Sequence, residues 1–208
     1  MRIYTMLTGL METNCYLVMS QKRHIAVIDP GAEPETIIAK LEDLGAEPSV
    51  ILLTHAHYDH TGALEGLCAR YPDCPVMLGE KELPVLNDPD LSLAAQLGGP
   101  SEPRNLRYDR LLREEDTIKM DEITFDVLET PGHTPGGVCY RTADVIFTGD
   151  TLFQMSVGRT DFPGGDAAAL KKSVLRLRDL PGEYTICSGH GSPTLLSQER
   201  RSNSYMRG

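Results

Sequence analysis

Apolar residues fall along this chain in short runs separated by turn residues, with two different periods. Residues 2–8, 15–19 and 25–28 are β-rich and are broken by Gly9 and by Ser20-Gln21-Lys22-Arg23, which predicts three antiparallel strands. After Asp29-Pro30-Gly31 the spacing changes. Ile37, Ile38, Leu41 and Leu44 recur at helical intervals and stop at Gly45, a residue suited to the position just beyond a helix end. Val50-Ile51-Leu52-Leu53 predicts a buried strand, 63–70 a short helix and 75–78 another strand. Residues 80–116 are polar, contain prolines and show no clear period. Strands resume at 123–129, 138–141 and 145–148, followed by a helix at 166–178, a strand at 184–187 and a helical tail from about 195. Strands interleaved with helices, without repeats, low-complexity segments or charge blocks, predict an α/β layer protein built as one domain over 1–208.

Composition narrows the range of partners. A formal charge of −10 disfavours a general attraction to nucleic acid or to anionic membranes. The first residues lack the apolar stretch of a signal peptide, and no run approaches the ~20 apolar residues that a membrane span requires, so the expected location is the cytoplasm. The five cysteines, at 15, 68, 74, 139 and 187, include no closely spaced pair, which argues for reduced core thiols over a disulfide framework or a cysteine zinc site. The pattern specifies no oligomeric state.

The histidines carry the chemistry. Three of six lie in Thr54-His55-Ala56-His57-Tyr58-Asp59-His60-Thr61-Gly62, directly after a buried strand. In an extended segment His55 and His57 project the same way, whereas a turn at Tyr58 redirects Asp59 and His60 toward a second point. One loop can thus serve two metals. Three further apolar strands run into Pro131-Gly132-His133, Gly149-Asp150 and Gly189-His190, with glycine beside each ligand-type residue to permit a turn or a close approach. In open α/β sheets ligands bind beyond the carboxyl ends of strands, so these ends are expected to meet at one edge. Imidazole and carboxylate suit zinc, iron or manganese, and two divalent ions are expected, zinc first. His24, isolated in the pattern, takes the ordinary reading of a surface loop residue or a satisfied core group.

His55, His57, Asp59 and His60 complete the His-x-His-x-Asp-His signature, and the chain thereby resembles the metallo-β-lactamase superfamily. The resemblance implies an αββα sandwich of two mixed β-sheets flanked by helices, with the metals at one edge. It implies that His55, His57 and His133 hold one metal, Asp59, His60 and His190 the other, and that Asp150 bridges them. Asp29 would sit beside the site and orient a ligand. Asn14-Cys15-Tyr16-Leu17, Thr130-Pro131-Gly132-His133-Thr134, Gly149-Asp150-Thr151-Leu152-Phe153 and Gly158-Arg159-Thr160-Asp161-Phe162-Pro163-Gly164-Gly165-Asp166 are most similar to the glyoxalase II group and its shorter relatives. Only 18 residues follow His190, so the helical domain with which glyoxalase II helps bind glutathione is not expected. Asp150 stands where zinc β-lactamases place a cysteine, which speaks against antibiotic hydrolysis.

The implied reaction is hydrolysis of a thioester, of the S-acyl glutathione type, or of a related small acyl ester, by a hydroxide bridging the metals, with Asp59 orienting it. A thioester is chemically suitable because its leaving thiol, of pKa roughly 8.5, needs little help from a general acid. Arg159 and Thr160 are expected to line the pocket, Arg159 facing an anionic part of the substrate. The competing reading of the same loop is a mononuclear iron persulfide dioxygenase. A phosphodiesterase or nuclease ranks lower because of the net charge, and a non-catalytic metal scaffold lower still because the ligand set is complete.

Overall fold

Burial on both faces of the central strands explains why two sheets stack with a layer of helix outside each. In the computed structural model, which describes residues 1–207, the first sheet begins with a meander of β1 (Arg2–Thr8), β2 (Thr13–Met19) and β3 (Ile25–Ile28). It continues in parallel through β4 (Pro48–Leu53), β5 (Val76–Gly79) and β6 (Arg110–Leu112). Helix α1 (Pro34–Asp43) connects β3 to β4, and α2 (Tyr58–Thr61) with α3 (Leu64–Arg70) connects β4 to β5, each crossover placing helix on one face of the sheet. A 3₁₀ turn at Glu80–Glu82 and α4 (Leu83–Leu86) follow β5.

The second sheet is laid down by β7 (Thr117–Met120), β8 (Ile123–Glu129), β9 (Val138–Thr142) and β10 (Val145–Gly149), all antiparallel neighbours. After a ribbon of β11 (Leu152–Phe153) and β12 (Ser156–Val157) and helix α5 (Ala167–Arg178), β13 (Thr185–Ser188) joins parallel to β10, and β14 (Thr194–Leu195) closes that edge before α6 (Leu196–Ser202). Two six-stranded mixed sheets result.

Side chains of period two divide the core into three layers. Tyr16, Val18, Ala26, Ile28, Val50 and Leu52 of the first sheet meet Phe125, Val127, Tyr140 and Phe147 of the second, forming the slab between the sheets. The alternate residues Cys15, Leu17, Val27, Ile51 and Leu53 face outward against Ile37 and Leu41 of α1 and Leu64 and Leu67 of α3. On the far side Leu128, Cys139, Ile146 and Ile186 pack under Leu170, Val174 and Leu177 of α5. The architecture is therefore the expected αββα sandwich, a metallo-β-lactamase fold. Among the described residues no helix is long and apolar enough to cross a membrane.

The differences from the predicted elements are local. The stretch 80–116 contains α4 and β6, which escape pattern reading because one is a four-residue helix and the other a three-residue edge strand. β7 was legible but unread: Ile118 and Met120 are buried between exposed Thr117 and Lys119, the alternation of a half-covered strand, and Asp121-Glu122 turns it into β8.

Strands β8, β10 and β13 run in one direction, and their C-terminal ends, with that of β4 from the other sheet, converge on a single edge.

Candidate metal centre

The loop after β4 changes conformation where the chemistry needs it to. His57 is extended, with φ −63° and ψ 151°, and Tyr58 begins α2, so the chain leaves a strand-like segment for a helical turn between His57 and Asp59. His55 and His57 thus approach from one side, their ring centroids 4.8 Å apart, while Asp59 and His60 are swung to another. His133 arrives from the end of β8, Asp150 from β10 and His190 from β13. The ligand-type atoms form three overlapping groups: His55, His57 and His133; His55, His60 and Asp150; and Asp59, His60 and His190, each within 4.8 Å. Asp150 lies between the outer two, with Oδ1 3.4 Å from His60 Nε2 and Oδ2 3.5 Å from His133 Nε2 and 3.6 Å from His190 Nε2. The structure thus brings together all seven residues that the sequence singles out as ligands. His24 lies apart, paired on the surface with Asp121.

Hydrogen bonds behind the rings fix which nitrogen faces inward. His133 Nδ1 donates to the Arg159 carbonyl at 2.7 Å and His190 Nδ1 to that of Met11 at 3.0 Å, which leaves Nε2 of each as the lone-pair atom toward the cluster. Asp29 does the same for two more. Its Oδ2 accepts from His60 Nδ1 at 3.0 Å and from Thr54 Oγ1 at 2.6 Å, and Thr54 Oγ1 in turn lies 3.1 Å from His55 Nδ1. Oδ1 of Asp29 accepts the Thr54 N–H at 2.7 Å. His57 is turned the other way, its Nδ1 3.0 Å from His133 Nε2.

This arrangement fits a cation. His55 Nε2, His57 Nε2, His60 Nε2 and Asp150 Oδ1 are buried without a hydrogen-bond partner, an expensive state for several polar atoms in one place. The facing nitrogens of His57 and His133 are satisfied by a proton or a metal ion between them. Electrostatics divide the cluster in two. Burial, reinforced by neighbouring His133, holds His57 down to about 3, and burial together with His60 and His57 keeps His55 well below the usual imidazole range. Around His60 burial works the same way but is outweighed by Asp59, Asp150 and Asp29, which push it well above that range. Burial would raise Asp59 and Asp150, yet His60 chief among their neighbours holds both below the ordinary carboxylate range. The His60 side therefore carries a negative field that calls for positive charge, and the His55 side offers neutral nitrogen donors.

Close backbone approach is needed at two glycines. A Cβ on Gly189 would lie 2.3 Å from Asp150 Oδ1 and 2.6 Å from His60 Cε1. Gly149 combines φ +47° with a Cβ direction blocked at 2.2 Å by Thr54 Oγ1.

Several positioning residues were not singled out by sequence reasoning. Glu82 is fully buried and accepts the Ala56 N–H at 2.8 Å and the Gly136 N–H at 2.7 Å, tying the His55–His57 segment to the loop that carries His133. Burial pushes its carboxyl up, against the pull of those bonds. Asn14 Nδ2 donates to the carbonyls of Ser188 and Gly191, and Tyr16 Oη donates to Ser188, so β2 clamps the His190 loop from both sides. Thr13 Oγ1 donates to Asp59 Oδ2 at 3.2 Å. The Asn-Cys-Tyr run marked this part of β2 in the sequence; Glu82 left no signal among its charged neighbours.

The cluster floors a cavity of about 340 Å³. Arg159 lines its rim and also a neighbouring cavity of about 490 Å³, which Thr160, Lys171, Tyr205 and Arg207 line too. The Arg159 guanidinium is exposed, paired with Asp161 at 2.7 and 2.6 Å and stacked 4.0 Å from the Phe162 ring. What binds it to the centre is its carbonyl, on His133.

A family model described as the metallo-beta-lactamase superfamily matches residues 8–190. A hydroxyacylglutathione hydrolase, GloC, of Haemophilus influenzae is 38% identical over 199 residues, covering 94% of this chain and 93% of that protein. Among solved structures, the BLEG-1 B3 metallo-beta-lactamase is 36% identical with a TM-score of 0.93, covering 100% of both chains. TTHA1623, in a di-iron-bound form, is 39% identical with a TM-score of 0.85, covering 97% of this chain and 99% of that one.

Proposed function

We propose a hydrolytic function on one premise, that the chain belongs to the metallo-beta-lactamase superfamily, whose fold implies divalent metal at a histidine and aspartate site. The reaction proposed is hydrolysis of a thioester, of the S-acyl glutathione type, or of a related small acyl ester, in a single domain that spans the chain. The observation that carries it is the pair of three-residue groups joined through Asp150, with four buried atoms lacking partners. His55, His57 and His133 would hold one metal, Asp59, His60 and His190 a second, and Asp150 both. Zinc is the first candidate, and a di-iron-bound relative keeps iron beside it. When bound, two such ions lower the pKa of water toward ~7 and polarise an acyl carbonyl.

The protein's own groups supply position and proton control. Asp59, whose Oδ2 accepts from Thr13 Oγ1 at 3.2 Å and lies 3.1 Å from His190 Nε2, lines the cavity and is placed to orient the attacking water. Asp29 keeps His60 in the tautomer whose Nε2 faces inward, and the Arg159 carbonyl does this for His133. Water adds to the acyl carbon, the carbon–sulfur bond breaks, and the products are the free acid and the thiol, which departs as thiolate without a dedicated acid and afterwards takes up the proton given up by the water. Arg159 and Thr160 contact the carrier part of the substrate where the two cavities meet; an Arg159→Ala variant with unchanged KM removes Arg159 from that role.

The test is release of free thiol from S-lactoylglutathione and from simple acyl thioesters by metal-loaded protein. Turnover lost on chelation and restored by metal supports the reading. A second reading, β-lactam hydrolysis, is favoured by the likeness to BLEG-1, and hydrolysis of a penicillin or carbapenem with inert thioesters would replace the first.

A further inference from the structure

Outside its histidine and aspartate floor, the 340 Å³ cavity has a wall of Met11, Leu93, Leu97, Phe153, Val157 and Phe162. The remaining lining residues of that wall are Ser156 and Arg159. The Ser156 hydroxyl turns toward the Val157 carbonyl, 3.5 Å away, and the Arg159 guanidinium is engaged by both oxygens of Asp161. No unengaged cation therefore faces the space above the floor, and nothing on the wall is arranged to recognise a hydroxyl or carboxylate on the acyl group. The wall is also built from separate parts of the chain. Met11 comes from the β1–β2 hairpin, Leu93 and Leu97 from the loop after α4, and Phe153 and Val157 from the β11–β12 ribbon. Leu93 is held at φ +61°, a backbone state that a branched apolar residue rarely adopts, with its side chain nonetheless buried. The Tyr58 N–H donates to the Ser92 carbonyl at 2.8 Å, anchoring this loop to the first residue of α2 and so to the floor.

We infer that the cavity receives an unbranched apolar acyl chain of medium length, and that the preferred substrates are thioesters of such acids rather than of short hydroxy acids. The inference rests on the thioester reading above and deepens it by naming the acyl group. With the acyl carbonyl at the floor, the chain runs outward along Leu93, Leu97 and Phe153, and each methylene that leaves water strengthens binding by roughly fourfold until the wall is covered. A 2-hydroxyl would lose water against carbon atoms and gain no partner.

The product acids test this without assuming any thiol carrier. Acetate, lactate and hexanoate are titrated into metal-loaded protein by calorimetry, beside the rate of hydrolysis of acetyl, lactoyl and hexanoyl thioesters of one thiol. The expected result is hexanoate binding tighter than acetate by on the order of a hundredfold, the same order of preference in kcat/KM, and a fall of about tenfold or more in the hexanoate-to-acetate ratio in Leu97→Asn. Equal affinities, a preference for lactate, no detectable binding of any of the acids, or a ratio untouched by Leu97→Asn overturns the inference. If no thioester is hydrolysed while hexanoate keeps its advantage, the catalytic reading fails and the assignment of the cavity stands.

Discussion

The floor and the wall of the same cavity are built in opposite ways. On the floor His55, His57, His60 and His133 are buried, and His55, His60, His133 and His190 each have the nitrogen pointing away from the cluster engaged by a named oxygen. These groups stand at the ends of strands whose other residues are in the core. The wall stands away from these strands, on the β1–β2 hairpin, the loop after α4 and the small β11–β12 ribbon: Met11 is half exposed, Leu10 beside it is fully exposed, and Leu93 holds a left-handed backbone. The lesson is a division of labour. Chemistry that tolerates little displacement is mounted on the sheet edge, while the wall above it stands on segments that can vary without disturbing it.

Substitutions separate the two in order of size. Asp150→Ala should cost the most, since it removes the carboxylate shared by both groups; thioester turnover should fall by roughly a thousandfold or more, measured as kcat on metal-supplemented protein. Retention of a tenth of the activity would show that the groups work independently. Asp29→Asn should weaken metal binding by roughly 10–100-fold in a chelator competition, because an amide cannot accept at both positions: either the Thr54 N–H, or the His60 N–H and Thr54 hydroxyl together, would face its NH₂. Glu82→Gln leaves one buried N–H, of Ala56 or Gly136, facing an amide NH₂. About 1–3 kcal/mol of stability should be lost in urea titration, with acyl-chain preference unchanged. A shift in that preference would mean that floor and wall are coupled. Leu10→Ser, at the exposed hairpin tip, should move stability by no more than about 0.5 kcal/mol, and a larger change would show that the tip packs on something.

The same contrast explains what could be read from the sequence. Strands β2, β3, β4, β8 and β10 declare themselves because they are buried and alternate or run apolar, and the ligand-type residues stand out because they follow such runs: three histidines after Leu53, then His133, Asp150 and His190. Asp29 could be placed by resemblance, though not its simultaneous hold on Thr54 and His60, which depends on two strands coming into register. Glu82 was invisible because its neighbours Glu80 and Lys81 make it look like one more solvated charge; only the fold reveals that it faces inward to two backbone N–H groups. Leu93 and Leu97 were hidden in a stretch without period, since loop residues are placed by tertiary contacts. The Arg159 side chain was picked out by the motif, but the structure shows its carbonyl to be the atom in contact with the centre.

The central claim is that one sheet edge offers two adjoining metal positions with Asp150 between them. Elemental analysis of protein purified without added metal, with thiol release from a thioester followed on the same sample, tests it most directly in wild type and His60→Ala. The account predicts two metal ions per chain in the wild type, one in the variant, and loss of turnover with the second ion. A single iron in both, with oxygen uptake on a persulfide and no thiol release, would contradict it.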